Sequence, residues 1–283
     1  MALQGAYGLE ASYALLAYLD PSDHRAGIEF DPVPFTLATS RPPSQGLVVI
    51  ELGSGTGLVA SRLADGLVPE RDLLLATDLP DVCTLLGSNL AASPAACVCP
   101  LSWGNSDDVR SVGSLLGVCI SAGELVVSAR FPTHIICSDL VYFPALLAPL
   151  LRTLLHLTTT PFLSQSGSGP ILIISYKIRS LAKETPFWSA FGLWFSFSPV
   201  LVRNVAMHDS DRTDRTWSRF TPTADDDKTF VFVAHRRAES LVWTVPESDE
   251  ELLRGVGAYG NSGSKADDTF ETILLMTMES IDT

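Results

Sequence analysis

Positive charge is scarce in this sequence: 19 lysines and arginines stand against 32 aspartates and glutamates, for a formal net charge of −13. A protein that neutralises phosphates needs a basic face, so nucleic acid is not an expected partner. A basic protein substrate would instead be drawn to an acidic body. Charged residues of both signs amount to only 18%, against 46% hydrophobic residues over 283 positions. That balance argues against a disordered chain and allows a large core. Long apolar runs are also missing. None approaches the roughly 20 residues of a membrane helix, so no membrane association is expected. The first apolar stretch carries Glu10 and Asp20 with no basic segment ahead of it, which argues against a secretory leader. Cysteine is sparse and odd in number: Cys83, Cys97, Cys99, Cys119 and Cys137. Cys97 and Cys99 would alternate faces on a strand, and no second Cys or His pair lies nearby. Reduced thiols are expected rather than a metal site, as is a cytoplasmic protein, with the nucleus as a second location. A monomer is expected.

What is present is an alternation. Helical spacing runs from Gly8 to Leu19, and a connecting segment with five prolines follows over 21–46. From Leu47 onward, short wholly apolar runs alternate with helical stretches. The runs are 47–52, 72–77, 95–101, 133–138 and 170–176; the helical stretches are 58–67, 80–90, 144–157 and 181–193. Strands covered on both faces read as continuous apolar runs, so the fold class is α/β, a Rossmann-like parallel sheet with helices on both faces. Two more runs, about 195–203 and 228–235, suggest an antiparallel hairpin closing a sheet of seven strands. The expected division is an N-terminal helix and connector over 1–46, a catalytic domain over 47–237, and an acidic, partly mobile tail over 238–283. Within that tail, 269–278 is apolar enough to dock as a strand or a helix.

In an open α/β sheet the ligand lies at the carboxyl ends of the strands. There the first run ends in Glu51-Leu52-Gly53-Ser54-Gly55-Thr56-Gly57 and the second in Asp78. The glycines let backbone approach a ligand, and the following helix presents free N–H groups. The dinucleotide pattern G-x-G-x-x-G would need a third glycine at position 58, which is Leu58. Asp78 sits where a carboxylate accepts hydrogen bonds from ribose hydroxyls. Trp103 follows the third run, where it could pack on an adenine ring or serve as ordinary core.

The segments E-L-G-S-G-T-G-L (51–58), T-D-L-P (77–80), L-S-W-G (101–104), D-L-V-Y (139–142) and I-S-Y-K (174–177) together resemble the seven-strand, class I protein-lysine methyltransferases, which include enzymes acting on elongation factors and heat-shock chaperones. The resemblance implies an S-adenosylmethionine-dependent enzyme that methylates a lysine amine on a protein, with an elongation factor or chaperone as partner. It implies cofactor binding by Glu51, Gly53, Ser54, Gly55, Thr56, Gly57, Asp78, Leu79, Trp103, Ser138 and Asp139. Catalysis is assigned to Asp139 and Tyr142. Asp139 would hold the incoming ammonium and Tyr142 would wall its channel; Asp139 could also serve as a helix N-cap. A methyltransferase for a small amine, or a cofactor-binding module without turnover, remain alternatives. The second is motivated by Leu9, which replaces a tryptophan common in that group. Lys177 and Arg179 could touch substrate or be surface charge. His208 lies in a polar loop near the same edge, and the aromatic series from Phe187 to Phe197 reads as core.

Overall fold

The computed structural model describes residues 9–19, 27–37, 46–118, 129–204, 216–222 and 228–279. His208 and Cys119 lie outside them. The first helix, α1 (Glu10–Leu19), is followed by a short strand, β1 (Ile28–Asp31). The alternation then starts with β2 (Val48–Leu52), α2 (Leu58–Ala64), β3 (Leu73–Asp78), α3 (Pro80–Asn89), β4 (Ala96–Pro100) and α4 (Ser106–Leu115). It continues with β5 (His134–Ser138), α5 (Pro144–Leu157), β6 (Ile171–Lys177), α6 (Leu181–Trp194) and β7 (Phe195–Pro199). The last strands are β8 (Leu201–Asn204), β9 (Ser218–Arg219) and β10 (Thr229–Arg236).

Seven strands form one sheet in the order β4-β3-β2-β5-β6-β10-β7. The pairs among β4, β3, β2, β5 and β6 are parallel, and β10 runs antiparallel to both β6 and β7. This is the expected α/β class with its reversed strand. All five residues of β2 are buried, which explains its unbroken apolar run. One side chain set of the sheet packs with α1, α2 and α3, the other with α4, α5 and α6. Burying a large apolar side chain contributes about 1.5–3 kcal/mol, so these two layers supply most of the driving force.

Three expectations change. The single run 195–203 is two strands: β7 stays in the main sheet, whereas β8 pairs with β1 and β9 in a separate three-stranded sheet. The break falls at buried Val200, whose N–H donates to the Val231 carbonyl and whose carbonyl accepts from Phe220. The connector over 21–46 therefore contains a strand, held by pairing with β8 rather than by any periodicity of its own. Finally, the segment after Arg237 is not a loose tail over its described part. It forms α7 (Asp249–Leu253) and α8 (Thr269–Glu279), and buries Leu252, Ala258 and Phe270 completely. Phe270 stacks on Trp188 at 5.1 Å between ring centroids. Exposed acids carry the acidic composition of this segment, while its few large apolar residues extend the core.

Candidate functional site

β2 is followed in sequence by β3 on one side, and the chain returns as β5 on the other. The diverging loops open a crevice at this reversal, the usual ligand position in such sheets. Two adjoining cavities of about 430 and 440 Å³ occupy it. They share Gly53, Gly55, Leu140 and Tyr142.

The glycine loop is shaped by need rather than by composition. Gly53 has φ +60°, and a Cβ there would lie 2.8 Å from Leu140 and 3.0 Å from Trp103. Gly55 has φ +55° with nothing within 4 Å of the Cβ position, so its bare backbone faces open space. Gly57 serves differently. It caps α2 at φ 82° and packs on Leu86, and it lies on neither cavity wall.

Glu51 lines the first cavity and is only 2% exposed. Burial pushes its carboxyl up to about 8, so it is largely protonated at neutral pH. Its Oε2 and the Ser54 hydroxyl have no hydrogen-bond partner among the described residues. Buried polar atoms left this way are costly, and a polar ligand in the cavity would satisfy them. Asp78 lines the second cavity, but its carboxylate is not idle. Oδ2 accepts from Gly55 N–H and Oδ1 from Leu79 N–H, both at 2.7 Å. It fixes the glycine loop, and each oxygen keeps a lone pair for a ligand hydroxyl.

Leu79 and Trp103 line the same second cavity, with Val82, Leu101 and Ser102 beside them. Leu101 and Ser102 belong to the L-S-W-G segment without having been singled out as ligand contacts, and Val82, in the first turn of α3, gave no signal of its own. Trp103 is held by the turn that follows it. Gly104 at φ +81° packs on Pro149, and its N–H donates to Thr153 Oγ1 at 2.8 Å. Thus α5 anchors the far wall. Ser138 and Thr56 line the first cavity. Ser138 Oγ lies 2.7 Å from Ser12 Oγ, which also lines that cavity, and the contact ties α1 to β5.

Asp139 stands at φ 61°, a conformation that only a few residue types tolerate. It does not cap α5, whose N-cap is Phe143. Both carboxylate oxygens instead meet the Arg179 guanidinium, with Nη1 2.6 Å from Oδ1 and Nη2 on Oδ2. Arg179 lies over the Tyr142 ring at 5.5 Å, and all three line the first cavity. Tyr142 is 49% exposed, so its ring forms the rim. Lys177 points elsewhere, to Glu10 at 3.0 Å.

Residues 9–117 match the lysine methyltransferase family model. The matched stretch contains α1, the glycine loop, Asp78 and Trp103, and ends before Asp139 and Tyr142. Solved structures with similar folds include the CurJ carbon methyltransferase, 14% identical at a TM-score of 0.42 over 70% of this chain and 50% of that one. The DszA carbon methyltransferase is 15% identical at 0.41, over 69% and 48%. Aeropyrum pernix fibrillarin, solved with bound S-adenosyl-L-methionine, is 14% identical at 0.39, over 68% of each chain. The chain spans about half the length of the first two. No helix among the described residues is long and apolar enough to cross a membrane.

Proposed function

We propose that this protein is an S-adenosylmethionine-dependent methyltransferase whose acceptor is a lysine side chain on another protein, with translation elongation factors the first substrates to try. The observation that carries the reading is the double cavity at the β2/β5 reversal, with the buried Glu51 carboxyl and the Ser54 hydroxyl on one side and Asp78 and Trp103 on the other. The lysine methyltransferase match over 9–117 supports it. The elongation-factor assignment rests on the sequence resemblance alone.

Bound there, the cofactor would supply an electrophilic methyl on a sulfonium. Gly53 and Gly55 would let backbone lie against it, Asp78 would accept from its ribose hydroxyls, and Trp103 would face its adenine. Glu51 would take the ammonium of its amino-acid end. At the acceptor end, Asp139 would hold and orient the incoming ammonium beside the Tyr142 ring, and the proton would leave to solvent before attack. Free lysine has a pKa of about 10.4, and a neutral amine is needed because the ammonium has no lone pair. The apolar wall formed by Leu9 and Leu140 disfavours the charged form. Rate gain would come mainly from holding nitrogen in line with the methyl and excluding water.

The test is transfer of isotopic methyl from the cofactor to a cell lysate, followed by mass spectrometry. Label on lysine in a protein band supports the reading. Label only in the small-molecule fraction points to a small-amine methyltransferase. Cofactor binding by calorimetry with no acceptor ever labelled points to a binding module.

A further inference from the structure

The Asp139–Arg179 pair poses a chemical question that the proposed function leaves open. The carboxylate assigned to the incoming ammonium already has a cation on both oxygens. Side-chain exposure is 10% for Asp139 and 34% for Arg179, so the acid is enclosed and the base reaches the mouth. The arginine is held from behind. Its main-chain N–H donates to Glu184 Oε2 at 3.2 Å, and Nη1 also donates to the Lys177 carbonyl at 3.2 Å. Glu184 is buried and further accepts from Ser180 N–H at 3.0 Å and from the Tyr176 hydroxyl at 2.6 Å. The backbone of the turn is therefore fixed from within, and the arginine side chain is held at the mouth by Asp139 and the Lys177 carbonyl.

A lysine ammonium that took over the two-oxygen seat on Asp139 would displace the guanidinium. The neighbouring carboxylate, Glu10, is already paired with Lys177. Among the described residues Glu10 and Glu184, the other carboxylates that act on Arg179, are thus both engaged, and an anion carried by the substrate would match the added cation. We propose that Arg179 and the substrate exchange partners, so that the acceptor is a lysine with an acidic side chain beside it in an otherwise soluble peptide segment. Before binding, the pairs are Arg179 with Asp139 and substrate lysine with its own acidic neighbour. Afterwards they are substrate lysine with Asp139 and Arg179 with the acidic neighbour. The number of ion pairs is conserved, and no charge is left unpaired in the half-buried mouth, which would be expensive. A lysine between basic neighbours would leave Arg179 facing like charge and should be refused. This substrate class deepens the lysine-methyltransferase reading and rests on it.

Equilibrium binding tests the exchange without requiring turnover. Fluorescent peptides carrying one lysine flanked by glutamates, glutamines or arginines are titrated into the full chain saturated with S-adenosylhomocysteine. The glutamate peptide should bind about fivefold or more tightly than the glutamine peptide, and the arginine peptide more weakly than either. In Arg179→Gln the glutamate advantage should vanish, and the glutamine peptide should bind more tightly than to the wild type because nothing competes for Asp139. Arg179→Lys, which keeps a charge, should retain part of the preference. Thermal melts confirm that both variants fold. Equal binding of all three peptides to the wild type, or a preference that survives Arg179→Gln, overturns the exchange but leaves lysine methylation standing. Failure of every peptide to bind either protein, with S-adenosylhomocysteine bound, overturns the exchange together with the protein-lysine reading.

Discussion

Glu51 is an acid kept from ionising. Its pKa lies at about 8 in the folded chain because burial removes solvent from the carboxylate, against an ordinary value of 4.5. Between those values the folded state holds a proton that the unfolded state has lost, so stability should fall as pH rises from about 4.5 to about 8. Glu51→Gln carries no such proton. Its melting temperature should match wild type near pH 4 and exceed it at pH 8.5, as followed by circular dichroism. Cofactor binding runs the other way. An ammonium placed on Glu51 favours the carboxylate, so binding at pH 7 should release a proton and tighten as pH rises towards 8. Calorimetry in two buffers of different ionisation enthalpy measures that proton directly. At the other end of the cavity, Asp139→Asn removes the charge and keeps the shape. Transfer should fall about 100-fold or more while cofactor affinity changes little, in a single-turnover assay beside a binding titration. A parallel loss of binding would place Asp139 among the cofactor contacts instead.

At the scale of elements, the turn between β6 and α6 depends on a single buried side chain. Glu184 satisfies two backbone N–H groups and a tyrosine hydroxyl at the start of α6. Glu184→Ala would orphan all three donors, at a cost of about 3 kcal/mol. The melting temperature should drop by several degrees, and the Arg179 turn should lose amide-exchange protection before the β-sheet does. No change in protection there would show that the turn is held by its ends. The elements themselves were unequally legible. Apolar runs such as Val48–Leu52 and the helix Pro144–Leu157 announce themselves by continuous burial or by a proline at the first turn. α4 carries no comparable signal: its sequence, Ser-Asp-Asp-Val-Arg-Ser-Val-Gly-Ser-Leu, is mostly polar, and only Val109, Val112 and Gly113 are buried. Its N-cap, Asn105, accepting from Asp107 and Asp108 N–H, was the available clue. β1 is a four-residue edge whose only reason to be extended is β8.

The molecule as a whole is bound together by aromatic packing under β6, β10 and α6. Trp188, Phe191, Phe197, Phe232 and Phe270 pack in successive pairs with ring centroids within 6.3 Å, edge-on except for the stacked Trp188–Phe270 pair. Phe270 comes from the segment after Arg237 and is fully buried. Phe270→Ala should therefore destabilise the chain by about 3–5 kcal/mol. Tryptophan emission should shift as the Trp188 environment opens, with a denaturation midpoint well below wild type. A near-neutral effect would mean that α8 is only loosely held in solution.

The sequence by itself determined the alternation of the main-sheet strands with α2, α3, α5 and α6, the glycine loop and the position of Asp78, because burial periodicity and turn chemistry are local properties. It also placed Asp139 and Tyr142 after the fourth parallel strand of the sheet. Only the tertiary structure decided what Asp139 touches, since Arg179 comes from the turn after the next strand, β6, and meets it across 40 residues of chain. The same holds for the final segment, whose acidic composition suggests a free tail until its few apolar side chains find the aromatic core. Side-chain partners across a sheet edge follow from the convergence of separate elements in space, and no spacing along one element encodes that.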